Sequence, residues 1–202
     1  MGQGLLPLVN DPTGELHLLN EITQQINLGT SLEAVLDLIF ERLREFIPYH
    51  RIAIALLSAD RDRLTVSALR SDGKVCLPRG YSGPVRGSSL EPLMKEGTIR
   101  IIDDLEAHLA RKPESDSTRR IVKEGMRSSL TLPLMMQGQP VGVVFFSCRK
   151  AHAYQPEHER FLRSIVGHMA IAVERTRLID ALWERTRSLE NVLQNSADAI
   201  VV

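Results

Sequence analysis

Apolar and polar positions alternate most densely between Met126 and Cys148, where MRSSLTLPLMMQGQPVGVVFFSC reads as two strands, residues 129–136 and 140–148, joined at Gln137-Gly138-Gln139. A glycine among polar residues between two apolar runs is a hairpin signal. On the first strand Leu130, Leu132 and Leu134 oppose Thr131, Pro133 and Met135. On the second, Val141, Val143 and Phe145 oppose Val144, Phe146 and Cys148. Both faces are largely apolar, which predicts a hairpin inside a sheet that is covered on both sides.

Helical periodicity flanks this hairpin. Leu16, Leu19, Thr23 and Ile26 predict a narrow-faced helix over residues 15–28, stopped by Gly29. A second helix is predicted over residues 30–47. Thr30 and Glu33 form its capping box, and Leu32, Val35, Leu36, Ile39, Leu43 and Phe46 form its stripe. Residues 51–58 and 63–70 read as a strand pair connected by Ala59-Asp60-Arg61-Asp62. Residues 74–87 are either an irregular loop or a short edge strand around Val75-Leu77. Ser88 and Glu91 cap a short helix that ends at Gly97, and residues 98–103 form the next strand. Residues 104–124 are the least regular part of the core, with a helix over residues 117–124 closed by Gly125. Pro156 opens a last helix in which no strong breaker occurs before Asn195. At about 1.5 Å per residue it is roughly 55–60 Å long, more than a small domain can cover. Its first half carries a wide apolar face. Its second half narrows to Ile179, Leu182, Thr186, Leu189 and Leu193, the spacing of a coiled-coil seam. Leu132, Phe145 and Leu36 are expected in the core between the sheet and its helical cover.

Length and composition narrow the function. The chain has 202 residues, 43% of them hydrophobic, enough for one full core with extensions. Twenty-five basic residues balance 25 acidic ones, so nothing electrostatic favours nucleic acid or a membrane surface. Two cysteines, Cys76 and Cys148, make no disulfide framework and fit a reducing compartment. No run approaches the roughly 20 apolar residues of a membrane span, and the N-terminus lacks signal-peptide features. The expected location is cytoplasmic.

The element order resembles a GAF domain. The stretches that carry the resemblance are Arg127-Ser128-Ser129-Leu130-Thr131-Leu132-Pro133-Leu134, Gly138-Gln139-Pro140-Val141-Gly142-Val143-Val144, Ala153-Tyr154-Gln155-Pro156-Glu157 and Ala170-Ile171-Ala172-Val173-Glu174. Ile101-Ile102-Asp103-Asp104 also sits where the family often ends a strand with acidic residues. The resemblance implies an α+β fold, with a central antiparallel sheet, the N- and C-terminal helices on one face, and loops and short helices on the other. The implied organisation is a flexible tail over residues 1–14, a GAF sensory domain over 15–175 and a linker helix over 176–194. Residues 195–202, where a helix gives way to Asn195-Ser196, resemble the opening of a PAS domain. A piece of a longer multidomain sensor is expected.

GAF domains usually hold small ligands between the sheet and its covering loops. The cyclic-nucleotide-binding subset carries Asn-Lys and Asp-Glu dipeptides, and this chain has neither. Bilin-binding relatives attach the pigment to a cysteine commonly followed by histidine, whereas Cys76 precedes Leu77 and Cys148 precedes Arg149. No HExxH, Cys-x-x-Cys, Gly-x-Ser-x-Gly or phosphate-loop motif occurs. His152 and His158 read as solvated, and His168 as a helix-face residue. The charged group at Asp103, Asp104, His108, Arg119 and Arg120 is the candidate pocket, and Asp104, His108, Arg119 and Ser129 are its expected ligand-facing residues. The cofactor is unknown. The expected function is sensing of a small molecule and relay of the signal, without catalysis, in a homodimer formed through the first and last helices. A ligand-free dimerisation module and a small redox enzyme are the alternatives.

Overall fold

The computed structural model describes residues 12–198. Six strands form one antiparallel sheet: β1 (Arg51–Leu57), β2 (Arg63–Ser71), β3 (Ser82–Pro84), β4 (Arg100–Ile102), β5 (Ser128–Met136) and β6 (Gln139–Cys148). Their order across the sheet is β3-β2-β1-β6-β5-β4. The β5–β6 hairpin is therefore interior, as two apolar faces require. Its loop is Gln137-Gly138, both at positive φ (49° and 76°), the geometry of a two-residue type I′ turn. Gln139 belongs to the strand rather than the turn. Pro133 is tolerated because β4 pairs only with Ser129, Leu130 and Thr131, leaving the edge beside Pro133 without a strand.

One sheet face is sealed by α1 (Pro12–Asn27), α2 (Leu32–Arg42, continued by a 3-10 turn at Leu43–Glu45) and α6 (Pro156–Asp198). Leu130, Leu132, Leu134, Val144 and Phe146 interlock there with Leu36, Ile39, Leu162, Ile165 and Met169. Phe145 points the other way: alternation puts it on the opposite face, half-buried, with Ala53, Ala55 and Val143.

Several local expectations are corrected. Ser31, not Thr30, caps α2 by accepting from the Ala34 amide at 3.3 Å. The Thr30 hydroxyl donates to Gln25 instead. α1 buries Leu18, Ile22 and Ile26, a row at i+4 spacing, and leaves Leu16 57% exposed. Of the expected row Leu16, Leu19, Thr23 and Ile26, Ile26 is buried, Leu19 packs partly buried against the core and Thr23 is half-buried, so the buried face is shifted toward Leu18 and Ile22 and Leu16 falls outside it. The short edge strand is β3, not residues 75–77. Leu90, without a side-chain cap, starts α3 (Glu91–Glu96), and Ser88 turns back to the Val85 carbonyl. Residues 104–124 hold two helices, α4 (Leu105–Arg111) and α5 (Asp116–Lys123). α6 continues through Asn195 and Ser196 to Asp198, and the remaining PAS-like residues, 199–202, lie outside the described residues, as does the N-terminal tail up to residue 11. No described helix is long and apolar enough to cross a membrane.

β1 and β6 approach closely at Gly142, where an added Cβ would lie 2.4 Å from the Ala55 carbonyl oxygen. Backbone cannot yield as a side-chain tip does. Gly142→Ala is expected to cost about 1–3 kcal/mol, read as a lower midpoint in urea. An unchanged midpoint contradicts this packing.

His158 is buried, not solvated, and its Nδ1 accepts from the Gln155 amide at 3.0 Å at the start of α6. His50 Nδ1 likewise accepts from the Arg149 amide at 3.2 Å. Burial pulls both imidazoles below their ordinary pKa, against the opposing pull of Glu157 on His158 and Asp72 on His50. A depressed histidine takes up its proton more readily in the unfolded chain. Stability is therefore complete above the unfolded value of about 6.5 and falls as the pH drops through it. The thermal midpoint is expected to fall between neutral pH and pH about 5, with a shallower slope in His158→Gln. An equal slope in that variant removes His158 from the account.

Candidate functional site

The second sheet face forms the floor of a cavity of about 460 Å³. Strand register lays the floor out in rows. Arg51, Ser147, Ser129 and Ile102 are successive cross-strand partners, and Ala53, Phe145, Thr131 and Arg100 form the next row. Small hydroxyl and alanine side chains keep the floor low. The roof comes from α4, α5 and the segment Tyr81–Leu90, with His108, Thr118 and Ile121 facing in. The volume falls within the usual range of small-ligand sites.

An ion pair holds the roof to the floor. Arg51 opens an otherwise apolar strand, and its Nε lies 3.0 Å from Glu124 Oε2, both side chains almost wholly buried, in a geometry short of a hydrogen bond. Glu124 Oε1 accepts from the Cys76 and Leu77 amides, each at 2.7 Å, and Arg51 Nη2 donates to the Leu77 carbonyl at 3.0 Å. Burial lowers the Arg51 pKa and the Glu124 charge opposes that shift. Glu124, at the C-terminal end of α5, thus ties that helix, the loop through Cys76-Leu77 and β1 together.

Of the four residues expected from sequence, the structure brings two to the cavity. Ser129 is on its floor and His108 on its wall. Asp104 caps α4 instead, accepting from the Glu106 and Ala107 amides at 2.9 and 3.0 Å, because an aspartate before a helix satisfies its first amides. Arg119 pairs with Asp116 at 3.5 Å and donates to the Pro113 carbonyl, off the cavity wall. Arg120 pairs with Asp116 at 2.7 Å and lies over the Tyr81 ring, and the Tyr81 hydroxyl donates to Asp116 at 3.2 Å. Asp103 is exposed, and its carbonyl receives the His152 amide.

Sequence reasoning missed Arg51, Glu124 and Arg100. An arginine leading an apolar strand was the available signal for Arg51. Nothing local marks Glu124 as its partner. Arg100 donates to the Ser89 carbonyl at 3.2 Å and to the Ser89 hydroxyl, while its Nε is enclosed without an acceptor. Burial lowers its pKa. Burial also lowers that of His108, and the charges of Arg100, Lys112 and Arg111 push in the same direction. Neither cysteine is on the cavity wall, and Cys148 is buried in the helix-side core. Among the described residues no three His, Cys, Asp or Glu side chains gather as metal ligands.

One sheet face sealed by helices and the other roofed over a charged cavity define a cavity-bearing α+β domain. The chain belongs to the GAF-domain family, which it matches over residues 29–174. It is 24% identical to the circadian input-output histidine kinase CikA of Synechococcus elongatus, over 91% of this chain and 27% of the kinase. It is also 24% identical to the methyl sulfide methyltransferase-associated sensor of Methanosarcina acetivorans, over 91% of this chain and 18% of that sensor. The chain therefore spans well under a third of the curated relatives it matches. Among solved structures, the phycocyanobilin-bound GAF domain of a cyanobacterial phytochrome superposes with TM-score 0.63 at 19% identity, covering 81% of this chain and 96% of that one. The GAF domain of an Acinetobacter phosphoenolpyruvate-protein phosphotransferase superposes with TM-score 0.65 at 17% identity, covering 84% and 98%. The family and the sensor relatives give this chain a sensory signalling role.

Proposed function

We propose that this domain receives a small molecule in the cavity over Ser129 and Ser147 and relays its occupancy along α6. The observation that carries this reading is the built floor and roof. Hydroxyl and alanine positions of three strands, β1, β5 and β6, face a roof pinned by Arg51–Glu124, a space too large and too polar to be packing alone. Native mass spectrometry of the purified chain tests it. The expected result is a non-covalent adduct, lost on denaturation and lost in Ser129→Phe, which fills the floor. A bare mass in every preparation, with no thermal shift from a metabolite extract, favours the ligand-free dimerisation module.

The output in this reading is a parallel homodimer along α6. Leu178, Ile179 and Leu182 are 57%, 41% and 66% exposed, and Leu16 of α1 is exposed as well. Ile26, expected in the interface, is buried within the chain. An apolar row on a helix that outruns its domain calls for a partner, and a second copy of the same row supplies one. A shift or rotation of α6, continuous from the sheet to Asp198, then carries the signal to whatever follows. The positions Leu189 and Leu193 extend the seam by sequence. Replacing Leu182 and Leu189 by Glu is expected to yield a folded monomer by sedimentation. A wild-type chain that is monomeric at high concentration, or a dimer indifferent to both charges, overturns the relay.

A further inference from the structure

Arg100 is a half-buried cavity cation with no ion pair among the described residues, and unlike Lys112 and Arg86 it has an enclosed nitrogen, Nε, without an acceptor. Glu124 is engaged with Arg51 and two amides and Asp116 with Arg119, Arg120 and Tyr81, while Glu114, the other carboxylate on the cavity wall, is exposed and forms no ion pair with Arg100. The enclosed Nε of this half-buried guanidinium, taken out of water without an acceptor, carries a cost that an anion meeting it would offset. Two further features stand on the same side. The Thr131 hydroxyl, cross-strand partner of Arg100, is fully buried with no hydrogen-bond partner, and Lys112 of the α4 end lines the wall above. The far side of the cavity, over β1 and β2, is lined instead by Ala55, Leu64, Val66 and Leu77.

We propose that the cavity takes a small organic oxyanion, its carboxylate or phosphate seated against Arg100 and its apolar body lying over Ala53, Phe145 and Leu77. This rests on the reading of the cavity as the ligand site. The guanidinium supplies a charge-assisted donor pair, the geometry that suits a planar carboxylate or a phosphate. Ser129, between the cationic and apolar ends, selects among ligands that carry a polar group near their middle.

The test uses three probes that share one apolar body and differ in headgroup: 2-naphthoate, 2-naphthyl phosphate and the neutral 2-naphthamide. Binding to the whole chain is measured by titration calorimetry near neutral pH in physiological salt. At least one anion is expected to bind about tenfold or more tighter than the amide, the ratio given by one charged contact of about 1.4 kcal/mol. Which anion binds tighter assigns the headgroup. Arg100→Gln is expected to remove that preference, bringing the affinity of the anions down to that of the amide in the same variant. Equal wild-type affinities for anions and amide overturn the oxyanion assignment while leaving the ligand cavity standing. Failure of all three probes to bind the folded chain overturns both. The wild-type comparison needs no variant, so the result holds even if Arg100→Gln does not fold.

Discussion

Glu124→Ala is expected to destabilise the chain by about 3–5 kcal/mol, the usual cost of leaving one half of a buried ion pair unanswered. Three groups lose their partner at once. The Arg51 guanidinium, almost wholly buried, keeps its charge without a counter-ion. The Cys76 and Leu77 amides, each 2.7 Å from Glu124 Oε1, lose their acceptor. Glu124→Gln should cost less, because its amide oxygen can still accept from those two groups while the charge is gone. The pair Arg51→Met with Glu124→Gln should recover part of the loss, since removing both charges removes the desolvation penalty as well. Urea titration of the four proteins reads the differences. Single variants within about half a kcal/mol of wild type contradict a buried pair that holds the roof. The position matters for function because Glu124 ends α5, and loosening it opens the cavity rather than the helix-side core.

Leu132→Ala is expected to cost about 2–5 kcal/mol, because Leu132 is only 1% exposed and packs between β5 and the helical layer. Phe145→Ala is expected to cost less than the roughly 3–5 kcal/mol of a fully buried phenylalanine. Its ring borders the cavity, and the space left joins a volume already open to water. The two strands are paired neighbours, so the contrast reports the faces rather than the strands. Equal losses at both positions contradict the placement of Phe145 on the cavity floor.

The elements legible in the sequence were those whose signal is local. The β5–β6 hairpin follows from alternation around Gln137-Gly138, and α2 and α6 follow from apolar rows of helical period. Gly97 and Gly125 end their helices at positive φ, as a chain that must leave a helix requires. α4 was hidden because Asp104 reads equally well as a helix cap and as a binding carboxylate, and only the Glu106 and Ala107 amides decide between them. His108 and Ser129 reach the cavity and Asp104 and Arg119 do not. Charged residues close in sequence share a neighbourhood, but the direction of each side chain depends on its turn of helix or face of strand.

The sequence by itself determined the class of fold, the two-faced hairpin at its centre, the length of α6 and the family resemblance, because each rests on periodicity or on the order of neighbouring residues. Only the tertiary structure decided which row of α1 is buried, which face carries Phe145, and that Arg51 and Arg100 stand on the cavity side of the sheet. It alone joined Arg51 to Glu124 across β1 and α5, and it left Arg100 without a carboxylate among the described residues. The physical reason is range. Turn and helix preferences act over a few residues, whereas strand register and burial act between segments distant in the chain, and charge pairing in a buried site exists only once both have been set.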